Sequence, residues 1–285
     1  MGGERRLSEI EIEALEGYRN SRPVRVGNAA RTQIQLDVYG ELLDLAWRWN
    51  DRRHSPDDDY WAFLVELVND AGKRWKDPDR GIWELRGEPR HFVFSKAMCW
   101  VAMDCGIRLA EKLGRSAPVD QWKRIRQEIR DAVEAKGYDS ERGVFIQAFG
   151  HPKMDASLLL LPVFGFVDWE EDRMVRTTDA IREELEEDGL LRRYASDDDG
   201  MEGTEGTFLA CSFWLVECLA RQGRFEEAHQ VFRRATATGN DLGLFSEEYD
   251  TSSGEMLGNF PQALTHLSLI SAAVALGDNP GKTKE

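Results

Sequence analysis

The sequence predicts an all-α fold in which buried and exposed helices alternate around a common centre. Three observations carry that expectation. Apolar residues recur at three- and four-residue spacing in one segment after another. Segments that are apolar almost all round take turns with segments that are apolar on one face only. No stretch sustains the period-two alternation of a sheet, so strand content should be small.

Ile34, Val38, Leu42 and Leu45 mark a first helix within 28–49, and Trp61, Leu64, Val65 and Val68 mark a one-faced second. The third, 94–113, contains an unbroken apolar run from Ala97 to Met103 and should be buried. Trp122, Ile125, Ile129 and Val133 define a charged fourth helix, and Leu158 to Val163 lie in an apolar fifth. A charged sixth (170–186) precedes an apolar seventh (207–220), an amphipathic eighth (224–235) and an apolar ninth (262–276). The apolar members begin near positions 28, 94, 154, 206 and 262, the spacing of a repeated helical hairpin. Either a linear solenoid or a toroid with an inner ring of buried helices satisfies this pattern. Connections that enter a buried helix, 77–93, 139–153, 192–206 and 238–261, are long, aromatic and acidic. Long loops in a compact domain usually carry function, and these should share one end of the assembly.

A chain of 285 residues with 41% apolar content can bury a sizeable core. Its net charge of -15 makes nucleic acid and anionic membranes poor partners. Positions 1–22 read as a charged leader with no apolar signal region, and no run of eighteen apolar residues suggests a membrane span. Cys99, Cys105, Cys211 and Cys218 lie in apolar helical segments without metal or redox spacing, as expected of buried thiols in a cytoplasmic protein. His91, His151 and His266 lack metal-ligand spacing, so no metal is expected.

The chemistry concentrates in two long loops. Trp83 and Glu84 stand side by side in a Gly- and Pro-punctuated loop ahead of the third helix. A flat ring suits the C–H face of a pyranose, and an apolar neighbour raises a carboxyl's pKa toward that of a general acid. The loop before the ninth helix supplies Glu247 and Glu248. In a toroid these loops face one another across a central pocket, whereas a solenoid would hold them apart. Two carboxylates separated by room for a water are what an inverting glycosidase uses.

The motifs Gly81-Ile82-Trp83-Glu84, Arg86-Gly87 and Pro89-Arg90-His91-Phe92 resemble the catalytic-acid loop of glycoside hydrolase family 15, the glucoamylases and bacterial trehalase-like enzymes. The resemblance extends to Pro23-Val24-Arg25-Val26-Gly27-Asn28-Ala29-Ala30, Ser95-Lys96-Ala97-Met98-Cys99-Trp100, Ser246-Glu247-Glu248-Tyr249-Asp250 and Leu257-Gly258-Asn259-Phe260-Pro261-Gln262. It implies that Glu84 is the general acid and Glu247 the general base. It also implies that Trp83, Arg193, Glu248 and Asn28 contact or support the sugar; Arg193 could instead pair with Asp197, Asp198 or Asp199. Phe94 departs from the His common among bacterial relatives.

The resemblance further implies an (α/α)6 toroid of twelve helices, of which about nine are legible here. Positions 23–277 would then form a partial catalytic domain, an incomplete toroid, followed by a polar tail at 278–285. The family's early Arg-Asp loop has no counterpart before Pro23. Truncation, a complementing N-terminal segment or self-association through the open edge would each account for the missing helices. The implied activity is exo-acting, inverting hydrolysis of α-glucosidic bonds in the manner of a glucoamylase, releasing β-glucose. An α,α-trehalase is the alternative, and an inactive carbohydrate-binding or helical scaffold fragment is the reading from another class. Acid, base and water suffice for the chemistry, so no cofactor is expected.

Overall fold

The computed structural model describes residues 8–52, 54–195 and 205–278. Among them run α1 (Asp37–Asp51), α2 (Asp58–Arg74), α3 (Val93–Leu113), α4 (Val119–Lys136), α5 (Asp172–Leu185), α6 (Leu209–Arg221), α7 (Phe225–Thr236) and α8 (Ala263–Gly277). A 3-10 helix, Ala156–Leu160, stands between α4 and α5. Strands are two or three residues long. β1 (Ile10–Glu11) pairs with β2 (Arg25–Val26), β3 (Tyr138–Asp139) with β4 (Val144–Phe145), and β5 (Glu186–Glu187) with β6 (Leu190–Leu191). β7 (Thr207–Phe208), β8 (Glu248–Asp250) and β9 (Glu255–Leu257) form an antiparallel sheet.

Burial explains the alternation. α3 is buried on nearly every side because α1, α2, α4 and the 3-10 helix all pack on it. α6 has α7, α8, α5 and the same 3-10 helix as neighbours and is likewise enclosed. The outer helices bury one stripe each, such as Trp61, Leu64, Val68 and Ala71 of α2 or Trp122, Ile129 and Val133 of α4. Their other faces carry exposed ion pairs such as Lys123–Glu111, which add little stability. The inner elements α1, α3, the 3-10 helix, α6 and α8 thus alternate with the outer α2, α4, α5 and α7, an arc of an (α/α)6 toroid. No helix among the described residues is long and apolar enough to cross a membrane. All four cysteines are buried free thiols, and desolvation pushes Cys99 and Cys105 up to about 12.

Three expectations need correction. The first helix starts at Asp37 instead of near position 28, because the Asn28 side chain accepts from the Ala30 N–H and caps a separate 3-10 turn, Ala29–Thr32, after which Gln33 is extended. The expected fifth helix is a short 3-10 segment: Pro162 and Gly165, the latter at φ 73°, follow it before an α-helix can develop. Finally, α1 and α8 are not buried all round. Val38, Leu45 and Trp49 of α1 and Leu267, Ile270 and Val274 of α8 lie on open surface.

Candidate active site

The four long loops are joined in sequence order on one face of the arc. Asp79 and Arg90 bridge the base of the Glu84 loop, Phe92 pairs with Ala148, and Asp155 pairs with Tyr194. Thr207 then pairs with Tyr249, which connects the loop before α6 to the loop before α8.

Within the first loop, Glu84 adopts φ 54°, a left-handed conformation uncommon for a residue with a Cβ and costing on the order of 1 kcal/mol or more. The turn is held by Glu84 N–H donating to the Gly81 carbonyl at 3.2 Å and Leu85 N–H to the Arg80 carbonyl at 3.2 Å. Gly81, at φ 66°, lies where a Cβ would press on the Phe92 ring at 3.1 Å. From the opposite wall, Gln33 Nε2 donates to the Glu84 carbonyl at 3.3 Å and Asn28 Nδ2 to Glu84 Oε2 at 3.3 Å. A cavity of about 180 Å³ lies here, lined by Asn28, Gln33, Trp83, Glu84, Arg193 and Tyr194. The Glu84 side faces solvent, so Trp83 does not enclose the carboxyl as its sequence neighbourhood suggested.

Trp83 is the floor of this region. Its ring packs against Phe208 (5.4 Å), Trp214 (5.8 Å) and Tyr194 (6.3 Å), and its Nε1 donates to Asp155 Oδ1 at 2.9 Å. The Arg193 guanidinium lies 5.6 Å from the Trp83 centroid and 5.3 Å from that of Phe208, within cation–π range. It pairs with Glu205 and stands 4.0 Å from Glu248 Oε1. Asp197, Asp198 and Asp199, the alternative partners for Arg193, lie outside the described residues.

In the loop before α8, Glu247 is fixed through backbone and side chain. Its N–H donates to the Asn259 carbonyl at 3.0 Å, and its carbonyl accepts from Leu209 at 3.1 Å. Its Oε2 accepts from Asn259 N–H at 3.0 Å and Asn259 Nδ2 at 2.9 Å. Glu248 Oε2 accepts from Gly206 N–H at 3.3 Å. Burial raises the Glu248 carboxyl above its ordinary range, opposed by Arg193 and the Gly206 N–H and reinforced by Glu247. Beneath the Glu84 loop, burial and then the charge of Asp79 push the Asp37 carboxyl up to about 6.

The structure thus gathers Asn28, Trp83, Glu84 and Arg193 around one cavity and sets Glu248 and Glu247 next along the same face. Sequence reading missed Gln33, Asp155, Glu205 and Asn259. Asn259 sits inside a quoted motif without a role, and Asp155 precedes Ala-Ser and an apolar run, an N-cap signal. Nothing in the sequence links Asp155 to Trp83. No group of three or more His, Cys, Asp or Glu among the described residues could hold a metal ion.

A trehalase of Mycolicibacterium smegmatis is 47% identical over 276 residues, covering 96% of this chain and 41% of that protein. The chain therefore spans about two fifths of the length of the curated relative it matches. Among solved structures, a wild-type glycosidase superposes with TM-score 0.71 at 22% identity, covering 86% of this chain and 67% of that one. A bacterial glucoamylase complexed with acarbose does so with TM-score 0.70 at 14% identity, covering 86% and 41%. Residues 2–274 match the family described as glycosyl hydrolases family 15, and the chain belongs to that family.

Proposed function

We propose that the loop face is the sugar site of an inverting α-glucoside hydrolase whose substrate is trehalose. The observation that carries this reading is the Trp83–Arg193 hub, which has Glu84 beside it on one loop and Glu248, next to Glu247, against it on another. In this reading Glu84 protonates the departing glycosidic oxygen, and Glu247 takes a proton from the water that attacks the anomeric carbon from the opposite side. Both hydrogen bonds from Asn259 fall on Glu247 Oε2, so in this reading Oε1 is the oxygen that takes the proton. Trp83 stacks on the sugar, Arg193 and Asn28 bind its hydroxyls, and Glu248 orients Arg193.

The trehalase relative at 47% identity supports trehalose over the α-glucans of a glucoamylase, the reading that led from motifs alone. We further propose that positions 23–277 act as a partial catalytic domain. A complementing segment that packs on the exposed faces of α1 and α8 completes the pocket; association of two copies through those faces is the competing arrangement. The open Glu84 side favours a second reading, a sugar-binding fragment with little turnover alone.

Proton NMR of trehalose hydrolysis tests the proposal, with the chain alone and with the chain supplied with the N-terminal part of the trehalase relative. The supplied chain should release one β-glucose for each α-glucose before mutarotation, whereas two α-glucoses per trehalose would sink the inverting assignment. Glu84→Gln should lower turnover by at least ~100-fold with the fold intact; unchanged turnover would reassign the acid.

A further inference from the structure

The search for groups beyond the two proposed carboxylates leads to Asp155, a charged side chain only 2% exposed beneath the cavity. Buried carboxylates are rare unless their oxygens are satisfied, and this one is. Its Oδ1 accepts from Trp83 Nε1 at 2.9 Å and from the Ser157 N–H at 2.8 Å, which caps the Ala156–Leu160 turn. Its Oδ2 accepts from Gln147 Nε2 at 3.4 Å. Its backbone bridges to Tyr194, and the next residue, Ala156, donates its N–H to the Arg193 carbonyl at 2.8 Å.

Asp155 therefore ties three of the four loops together: its carboxylate holds the indole of the first and the Gln147 amide of the second, and its backbone, with that of Ala156, holds the Arg193–Tyr194 backbone of the third. The indole is the part that matters for a ligand. Phe208, Trp214 and Tyr194 surround the Trp83 ring, whose second torsion is intrinsically broad. A hydrogen bond at the indole nitrogen selects one orientation, the one on which the Arg193 guanidinium rests.

We propose that Asp155 is a positioning residue: its hydrogen bond to Trp83 Nε1 fixes the indole plane against Arg193 and so sets the sugar-facing wall beside Glu84. The proposal deepens the reading of this face as a sugar site and rests on it for the ligand's chemistry, whereas the orientation of the indole stands independently of any ligand. Asparagine retains an acceptor oxygen and should substitute. Burial already opposes the ionised form of Asp155, so the charge itself is the more dispensable feature.

The experiment compares the wild-type chain with Asp155→Asn, Asp155→Ala and Trp83→Phe. It reads the indole N–H resonance of Trp83, assigned by its loss in Trp83→Phe, together with 1-deoxynojirimycin affinity by calorimetry. The wild-type chain should show a solvent-protected indole N–H, and Asp155→Asn should keep that signal with affinity within ~3-fold. Asp155→Ala should lose the protection while still unfolding cooperatively, and its affinity should fall at least ~10-fold. Trp83→Phe retains an aromatic ring but has no N–H to donate, so it should show a similar fall even if Asp155→Ala fails to fold. Full indole protection in Asp155→Ala, or wild-type affinity in Trp83→Phe, would overturn the proposal. If the wild-type chain binds no 1-deoxynojirimycin while the indole signals behave as stated, the sugar-site reading fails and the tether from Asp155 to Trp83 stands.

Discussion

α3 and α8 are both inner helices, and both read in sequence as apolar throughout, yet the structure treats them differently. α3 has neighbours on every side and buries Phe94, Met98, Val101, Met103 and Leu109. α8 turns Thr265, Ser268, Ala272 and Ala275 inward against α6 and leaves Leu267, Ile270 and Val274 at 63%, 58% and 55% exposure. Leu276 apart, the buried positions of α8 carry small or hydroxyl side chains while these three large apolar ones point outward, unlike an ordinary surface helix. α1 likewise leaves large apolar residues, Val38, Leu45 and Trp49, facing outward, while Gly40, Leu43 and Ala46 face inward. Gly40 lets α1 sit directly on α3, since a Cβ there would lie 2.5 Å from the Met98 carbonyl. Apolar content alone therefore does not report how enclosed a helix is.

The largest test of this contrast is truncation inside the enclosed part. Phe213 of α6 is fully buried between Phe232 and Phe245. Phe213→Ala should cost about 3–5 kcal/mol by urea denaturation, because the transfer loss and the cavity add. A cost below ~1 kcal/mol would mean that α6 is no better packed than the arc's ends.

The contrast reaches the site, because the Glu84 loop feeds enclosed α3 while the Glu247 loop feeds half-covered α8. The hydrogen bonds to the Glu247 side chain come from Asn259 of its own loop, and Gly258 is the tightest point there. At φ 70°, a Cβ there would stand 2.7 Å from Glu247 Oε2. Gly258→Ala should lower turnover of the supplemented chain by about 100-fold through displacement of the carboxylate. Stability should fall by about 1–3 kcal/mol, from the left-handed backbone and the close contact. Unchanged kcat/KM would show that the Asn259 hydrogen bonds alone suffice.

A smaller effect comes from Asp37 at the start of open α1. Its Oδ1 is buried without a hydrogen-bond partner, and its folded value is about 6 against an ordinary 3.8. The folded state therefore holds the proton more tightly than the unfolded one. Its contribution is fully present below pH 3.8 and is lost as pH rises through about 6. Asp37→Asn should remove this loss and gain about 1 kcal/mol at pH 7 relative to wild type, less for partial solvent screening. Equal pH slopes for both proteins between pH 4 and 7 would refute the assignment.

Much of the arc was legible because burial and helical period leave the same trace in sequence. Trp122, Ile129 and Val133 could be assigned to one face without coordinates, and the boundaries of α3 moved by a single residue. The 3-10 segment at Ala156–Leu160 was harder, since an apolar run reads alike whether it forms one turn or four. In the site, Trp83, Glu84 and Glu247 were recognisable from local motifs. The side-chain contacts from Gln33 to Glu84 and from Asp155 to Trp83 cross between loops, and local pattern carries no information about such pairs. Glu205, beside Arg193, is one more acidic residue in an acidic chain until the fold brings the two together.

The weakest and most discriminating perturbation lies on α8 itself. Leu267→Ala should change stability by less than ~0.5 kcal/mol, because a residue that remains 63% exposed loses little burial when truncated. A Leu267→Glu/Ile270→Glu pair should likewise leave thermal unfolding almost unmoved, yet remove the contiguous apolar stripe on that face. If the stripe is a docking surface, the pair will also prevent the N-terminal part of the relative from restoring turnover, and it will lower any concentration-dependent association of the chain. Substitution on α3 offers no such separation, since a carboxylate at Met98 would be buried unpaired and unfold the arc before any partner could be tested. The ends of the arc are thus the places where binding and folding can be perturbed one at a time.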